Sequence, residues 1–271
     1  MQLAASLLVL AAPASAWWQP NTAGGPITFD YLLGVDPFIP SKHIKAGIQV
    51  YFLDGNNTSP ESVAAIHAAG AKAVCYFSAG SWEMDRPDAG LFPPSVIGNT
   101  MNGWAREKWL NISSPLIRPI MKARMKECQA KGFDGVDPDN VDVWTNKQEA
   151  GFPQLTGMDQ FKYNSWLSST AHGLGLAAGL KNDLDQVKSL EPKFDFFVNE
   201  QCGEFEECGK YLPAKLVSKP LFNVEYNAQG FIRSCRCQSK LGLQSIKKTL
   251  DLVIGMSKCS ATYLNNNCPF A

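Results

Sequence analysis

Four aspartates fall within nine residues of the run Gly132-Phe-Asp-Gly-Val-Asp-Pro-Asp-Asn-Val-Asp142. Pro138 cannot donate to a ladder and keeps the residue before it extended, so a strand should end here with carboxylates at its carboxyl end. Crowded carboxylates repel one another and do little for folding. Asp and Asn are also common turn residues, which makes a solvated acidic turn the plain alternative. The pattern recurs, however. Strand-like runs are followed by Gly34-Val35-Asp36, Asp54-Gly-Asn-Asn57, Cys75-Tyr-Phe-Ser-Ala-Gly-Ser-Trp-Glu83, Lys181-Asn182-Asp183, Asn199-Glu200-Gln201 and Glu225-Tyr226-Asn227. One such end is what any strand leading into a polar loop produces. A whole series converging on one rim makes a site.

Other catalytic sets are missing from the chain. There is no G-x-S-x-G elbow and no H-E-x-x-H pair. Of the three histidines, His67 and His172 read as helix-surface residues and His43 lies in a helix or loop. Paired carboxylates then point to glycoside hydrolysis, in which one acid protonates the departing oxygen while the other attacks or activates water. Trp17, Trp18, Tyr76, Trp82, Trp144 and Tyr226 could stack on sugar faces at the rim, or equally fill gaps between packed elements.

The elements that must position these residues alternate along the chain. Near-continuous apolar runs at Thr28–Leu33, Ile48–Leu53, Ala73–Phe77, Phe133–Asp137, Leu176–Leu180, Phe194–Val198 and Leu221–Val224 suit parallel strands buried on both faces. Helical patterns lie between them. Pro60–Ala69 has Ser59 as its cap, Pro115–Lys131 carries an apolar stripe from Ile117 to Cys128, and Tyr163, Trp166, Leu167 and Ala171 form another before Gly173. An eighth unit falls in Leu241–Leu250 or Leu252–Ile254, with the strand assignable to either. Repeated βα units over this length predict a single-domain (β/α)₈ TIM barrel. A doubly wound sheet is the rival, but no G-x-G-x-x-G or P-loop follows any strand.

Residues 1–16 form an apolar run ending in Ala-Ser-Ala, the pattern of a cleaved secretory leader too short to span a bilayer. The catalytic domain is then 17–271, secreted and extracellular, with no membrane anchor and monomeric. Eight cysteines suit an oxidising compartment and leave the connectivity open. Cys202 and Cys208 are near enough to pin a short loop, and Cys235, Cys237, Cys259 and Cys268 read as staples for the carboxyl-terminal segment. Zinc is disfavoured by the absence of C-x-x-C and the scattered histidines. Lys plus Arg equals Asp plus Glu at 25 each, so net charge offers nothing to nucleic acid or to an anionic membrane. An acidic pocket in a neutral protein instead suggests a cationic or polyhydroxylated ligand.

Several long motifs, in order, carry a resemblance. CYFSAGSWE (Cys75–Glu83) with RPDA (Arg86–Ala89), GFDGVDPDNVD (Gly132–Asp142), GLKND (Gly179–Asp183) and VNEQC (Val198–Cys202) resemble glycoside hydrolase family 114. These are the endo-α-1,4-polygalactosaminidases, secreted fungal enzymes among them. The resemblance implies a (β/α)₈ barrel that cuts galactosaminogalactan-type polysaccharide of the kind found in biofilm matrices, internally and with no metal or other cofactor. Carried across motif by motif, the family's aspartate falls on Asp139 and its glutamate on Glu200. Asp139 is expected to be the nucleophile and Glu200 the general acid/base of a retaining displacement.

Alternation along the strand puts Asp137 on the same side as Asp139 and makes it the main rival. Asp142 and Glu225 are weaker candidates. Asp54, Asp183 and Glu225 are expected to bind sugar amines, with Asn140, Asn182, Asn199 and Tyr76 in hydrogen bonds and Trp18, Trp82, Glu83 and Tyr226 along the rim. Lys181 is expected either to neutralise one of the carboxylates or to pair structurally. Thr145–Leu155 is longer than the family pattern and should reshape the cleft. Two alternatives stay open: an α-galactoside or other α-glycan hydrolase on the same barrel, and a barrel that binds glycan without turning it over.

Overall fold

The computed structural model describes residues 17–260, 262–263 and 267–269, so the expected leader lies outside the described residues. Eight parallel strands follow one another in chain order: β1 (Phe29–Tyr31), β2 (Val50–Asp54), β3 (Lys72–Ser78), β4 (Gly135–Asp139), β5 (Ala177–Lys181), β6 (Phe196–Glu200), β7 (Leu221–Glu225) and β8 (Leu243–Lys247). Each pairs with the next in parallel register. A two-residue strand, Ser257–Lys258, adds antiparallel to β8. Helices pack outside, and the fold is a (β/α)₈ barrel. The eighth strand is thus in the first of its two candidate segments. Gly242, left-handed at φ 67°, ends the helix Ala228–Leu241 and turns the chain into β8.

Strand alternation sorts the residues into two cores. Phe29, Tyr31, Phe52, Val74, Ala177, Phe196, Val198, Phe222 and Val224 fill the barrel, whereas Leu53, Cys75, Phe77, Val136, Leu180 and Phe197 face the helices. The rings of Phe29, Phe52 and Phe196 all meet that of Phe222 at 5.0–6.0 Å between centroids. Burial of each ring contributes about 1.5–3 kcal/mol. This apolar plug is the floor on which the polar layer stands.

Two strand ends lie further along the chain than alternation and proline chemistry suggested. β4 continues through Pro138 to Asp139. Its pairing with β5 stops at Val136, so the missing N–H of Pro138 falls where no ladder needs it. β6 likewise runs to Glu200 rather than ending at Val198.

Four disulfides join Cys75 to Cys128, Cys202 to Cys208, Cys235 to Cys259 and Cys237 to Cys268. The loop pin and the carboxyl-terminal staples are as expected. The Cys75–Cys128 bond, tying β3 to the helix Arg118–Ala130, was not anticipated. Nor was a three-stranded antiparallel sheet inserted after β3, made of Ser81–Glu83, Trp104–Leu110 and Ile97–Met101 in spatial order. Thr145–Leu155 packs against this sheet: Glu149 Oε1 accepts from Asn102 N at 3.0 Å and from Trp109 Nε1 at 3.2 Å. None of the helices among the described residues is long and apolar enough to cross a membrane.

β8 is joined to β1 by side chains. Lys248 Nζ, fully buried, contacts Asp30 Oδ1 at 2.9 Å and the Val253 carbonyl at 2.7 Å. Replacing Lys248 by Met leaves the Asp30 carboxylate buried without its counter-charge. The expected cost is about 3–5 kcal/mol in urea unfolding, with a smaller loss for the double variant D30N/K248M. Equal losses in single and double variants would show that the pair is not what joins these strands.

Candidate active site

At the carboxyl ends of β3 to β6 the inward residues are polar, and they gather round one lysine. Lys181 ends β5 and is 1% exposed. Its Nζ lies 3.3 Å from Asp139 Oδ1 and 2.9 Å from Glu200 Oε2, and it donates to Tyr31 Oη at 3.0 Å. It also sits over the rings of Tyr31 and Tyr76, at 5.3 and 5.8 Å from their centroids. Burial alone would drive the ammonium toward neutrality. The charges of Asp139 and Glu200 outweigh burial, and the pKa of Lys181 is raised well above its ordinary value.

The two acids are held from several sides. Tyr76 donates to Asp139 Oδ2 at 2.9 Å, and Tyr226 donates to Glu200 Oε1. Asn182 Oδ1 accepts from the Glu200 backbone N–H and from Asn199 Nδ2, both at 3.1 Å. Asn140, Asn182, Asp183 and Gln201, just beyond β4, β5 and β6, have left-handed backbones at φ 58°, 47°, 44° and 69°. Such conformations cost about 1–3 kcal/mol each and turn the chain sharply at each strand end. Above them opens a cleft of about 450 Å³ whose lining includes Tyr76, Asp139, Asn140, Lys181, Asn182, Glu200, Gln201 and Tyr226.

The other anticipated residues lie elsewhere. Asp137 does share a face with Asp139, but one layer deeper, fully buried, where it accepts from Tyr31 Oη at 2.8 Å and cannot meet polymer. Glu225 and Asn199 point outward from the barrel. Glu225 Oε1 accepts from Gly203 N at 2.7 Å and Asn223 Nδ2 at 2.9 Å, which clamps the loop after β6. Asp183 is 2% exposed and accepts from Asn164 Nδ2 at 2.8 Å. Asp142 is half-buried and outside the cleft lining. Asp54 is neutralised by both terminal nitrogens of Arg86, at 2.9 and 2.7 Å. Glu83 pairs with Arg86 and Arg124, and Trp82 Nε1 donates to the Ala89 carbonyl. Trp18 lies at the opposite end, packed beneath the barrel against Phe196 at 5.9 Å, because the chain passes under the strands before entering β1. A larger hollow of about 700 Å³ at that end, round Trp17, His172 and Asp195, brings no two acids face to face.

Tyr31, Trp104 and Glu107 were not foreseen, and Arg86 and Gln201 stood in the quoted motif and strand end without a role of their own. Tyr31 looks like any strand residue in sequence. The hairpin bearing Trp104 and Glu107 is announced by Asn102-Gly103, a turn dipeptide between two strand-forming runs.

Burial pushes the pKa of Asp137 up to about 7, with Lys181 opposing. A carboxyl raised in the folded state stabilises the protein below its unfolded pKa, and that contribution is lost as pH rises through the folded value. Thermal unfolding should therefore show a decline between about pH 4 and pH 7 that is shallower in D137N. Parallel profiles would show that Asp137 is ionised throughout.

Comparisons with known proteins bear on the fold and the family. The description of glycoside hydrolase family GH114 matches residues 9–267. Aspergillus fumigatus Ega3, solved in complex with galactosamine, superposes with a TM-score of 0.82 at 31% identity, covering 89% of this chain and 97% of that one. The glycoside hydrolase domain of PelA from Pseudomonas aeruginosa shares the fold at a TM-score of 0.64 and 13% identity, over 86% of this chain and 98% of the other. No curated protein sequence matches. With the family matched over nearly its whole length, this chain belongs to glycoside hydrolase family GH114.

Proposed function

We propose that this protein is a secreted, monomeric, endo-acting hydrolase of α-1,4-linked galactosamine polymers, with Asp139 as nucleophile and Glu200 as general acid/base. The observation that carries the reading is the single ammonium shared by the two acids at the floor of an open cleft. Contacts of 3.3 and 2.9 Å to one nitrogen keep those two oxygens within about 6 Å of each other. Retaining enzymes hold their acids about 5–5.5 Å apart, inverting ones about 6.5–9.5 Å. An upper limit of about 6 Å on the lysine-facing oxygens is compatible with double displacement.

The roles divide by what each acid touches. Asp139, oriented by Tyr76 and Lys181, attacks the anomeric carbon as the glycosidic C–O bond breaks, and Glu200 gives its proton to the departing oxygen. Glu200 then takes a proton from water, the hydroxide attacks the same carbon, and the bond to Asp139 is released. Lys181 is too deeply buried to bind sugar. It holds both carboxyl groups in register, and it offsets their negative charge until Glu200 takes up from solvent the proton it delivers. The substrate reading rests on the acidic cleft, on the family, and on a relative solved with galactosamine.

Incubation with deacetylated galactosaminogalactan should release a ladder of oligosaccharides, and neutral α-galactan should be left intact. D139N and E200Q should each lower turnover by about 10³-fold or more while remaining folded. Early product followed by proton NMR should carry the α configuration. Cleavage surviving both substitutions, or preferential cleavage of neutral galactan, would overturn the assignment.

A further inference from the structure

The inserted sheet forms one wall of the cleft, and two of its residues have no structural task that accounts for them. Trp104 follows the Asn102-Gly103 turn and is 56% exposed, an unusual position for so large an apolar ring. Glu107 lies three residues further along the same strand. Both side chains line the catalytic cleft and also an adjoining hollow of about 330 Å³ bounded by Asp54, Asn57, Glu83 and Arg86. The catalytic floor therefore continues past this hairpin.

Charge sets Glu107 apart from its neighbours. Arg86 is occupied by Asp54 and Glu83, Arg106 by Asp85, and Lys181 by the catalytic pair. Among the described residues Glu107 has no cationic partner within ion-pair distance. Its one hydrogen bond comes from Ser81 Oγ, at 2.8 Å to Oε2. It is half-buried, with a pKa raised first by burial and then by the charges of Glu83 and Asp139. A desolvated carboxylate with a free oxygen beside an exposed indole suits a sugar that presents an apolar face and a cation together.

We propose that Trp104 and Glu107 form a subsite next to the catalytic one that selects unacetylated galactosamine, Trp104 stacking on the ring and Glu107 pairing with the C2 ammonium. This rests on the function proposed above and names what enforces its specificity. An N-acetyl group removes the charge and leaves Glu107 buried against an amide that cannot replace it, so discrimination arises from both the gained pair and the penalty of its absence. The platform and the carboxylate sit on one strand whose register shifts between Trp104 and Lys108, which lets both line the same cleft, and Thr145–Leu155 braces the strand through Glu149.

The test uses the full protein and galactosamine polymers of graded acetylation. For wild type, kcat/KM should fall steeply with acetylation. In E107Q, which keeps an acceptor for Ser81, the ratio between fully deacetylated and half-acetylated polymer should shrink about tenfold, the size of one partly desolvated ion pair. W104A should raise KM on both polymers alike, and W104F should restore most of it. Melting temperatures near wild type separate these effects from misfolding. An unchanged acetylation ratio in E107Q overturns the subsite while leaving the catalytic assignment standing. A wild-type enzyme that cuts no galactosamine polymer overturns the earlier reading instead.

Discussion

Two carboxylates facing each other within about 6 Å would repel and spread unless something of opposite sign stood between them. Lys181 is that group. A lysine at 1% exposure loses nearly all its hydration, which is sustainable only because Asp139, Glu200 and Tyr31 replace the water. The interaction is mutual. The acids hold the lysine charged, and the lysine holds the two acids beside each other. Asp137, one layer down, completes the arrangement. Its proton, retained up to about pH 7, spares the buried set another negative charge.

Such a cluster needs an unyielding frame, and the barrel supplies it from two directions. Below, the phenylalanine floor fixes how deep the polar layer can sink. Around the rim, buried polar residues outside the cleft hold the loops. Glu225 and Asn223 clamp the turn after β6, and Asn164 and Trp144 hold Asp183 beyond β5. Several acids that face away from substrate thus fix the backbone that aims Glu200 and Asn182. Acidity at a strand end serves architecture as often as chemistry.

That distinction marks the limit of what could be read from the residues alone. Alternation along a strand tells which face a side chain takes, so Asp137 and Asp139 were correctly placed together. It carries no information on depth, and depth is what separates a buried positioning carboxyl from one open to the cleft. Partners distant in sequence were equally hidden. Arg86, thirty-two residues from Asp54, neutralises an acid that seemed free to bind an amine. Trp18 was misplaced because a tryptophan near a strand start looks the same whether it lies above or beneath the barrel. The inserted sheet was hidden because Ile97–Leu110 falls outside the βα period, despite its turn dipeptide. The barrel and the acidic strand ends survived because they rest on periodicity and punctuation, which are local.

The chain as a whole is electrically neutral, yet the catalytic cleft and the hollow beside it share six carboxylates, Asp54, Glu83, Asp85, Glu107, Asp139 and Glu200, against Arg86, Arg106 and Lys181. Neutrality overall requires the compensating cations to lie elsewhere, and helix-borne lysines such as Lys122, Lys126, Lys188 and Lys240 sit on the outer layer. A polymer bearing an ammonium on every ring would be drawn to this groove more than to the nearly balanced remainder of the surface. Within a Debye length of about 8 Å at physiological salt, the segregation of charge orients the approach without any single strong contact. Close to the acids the same field becomes selective, since every neutral or acetylated ring forgoes it.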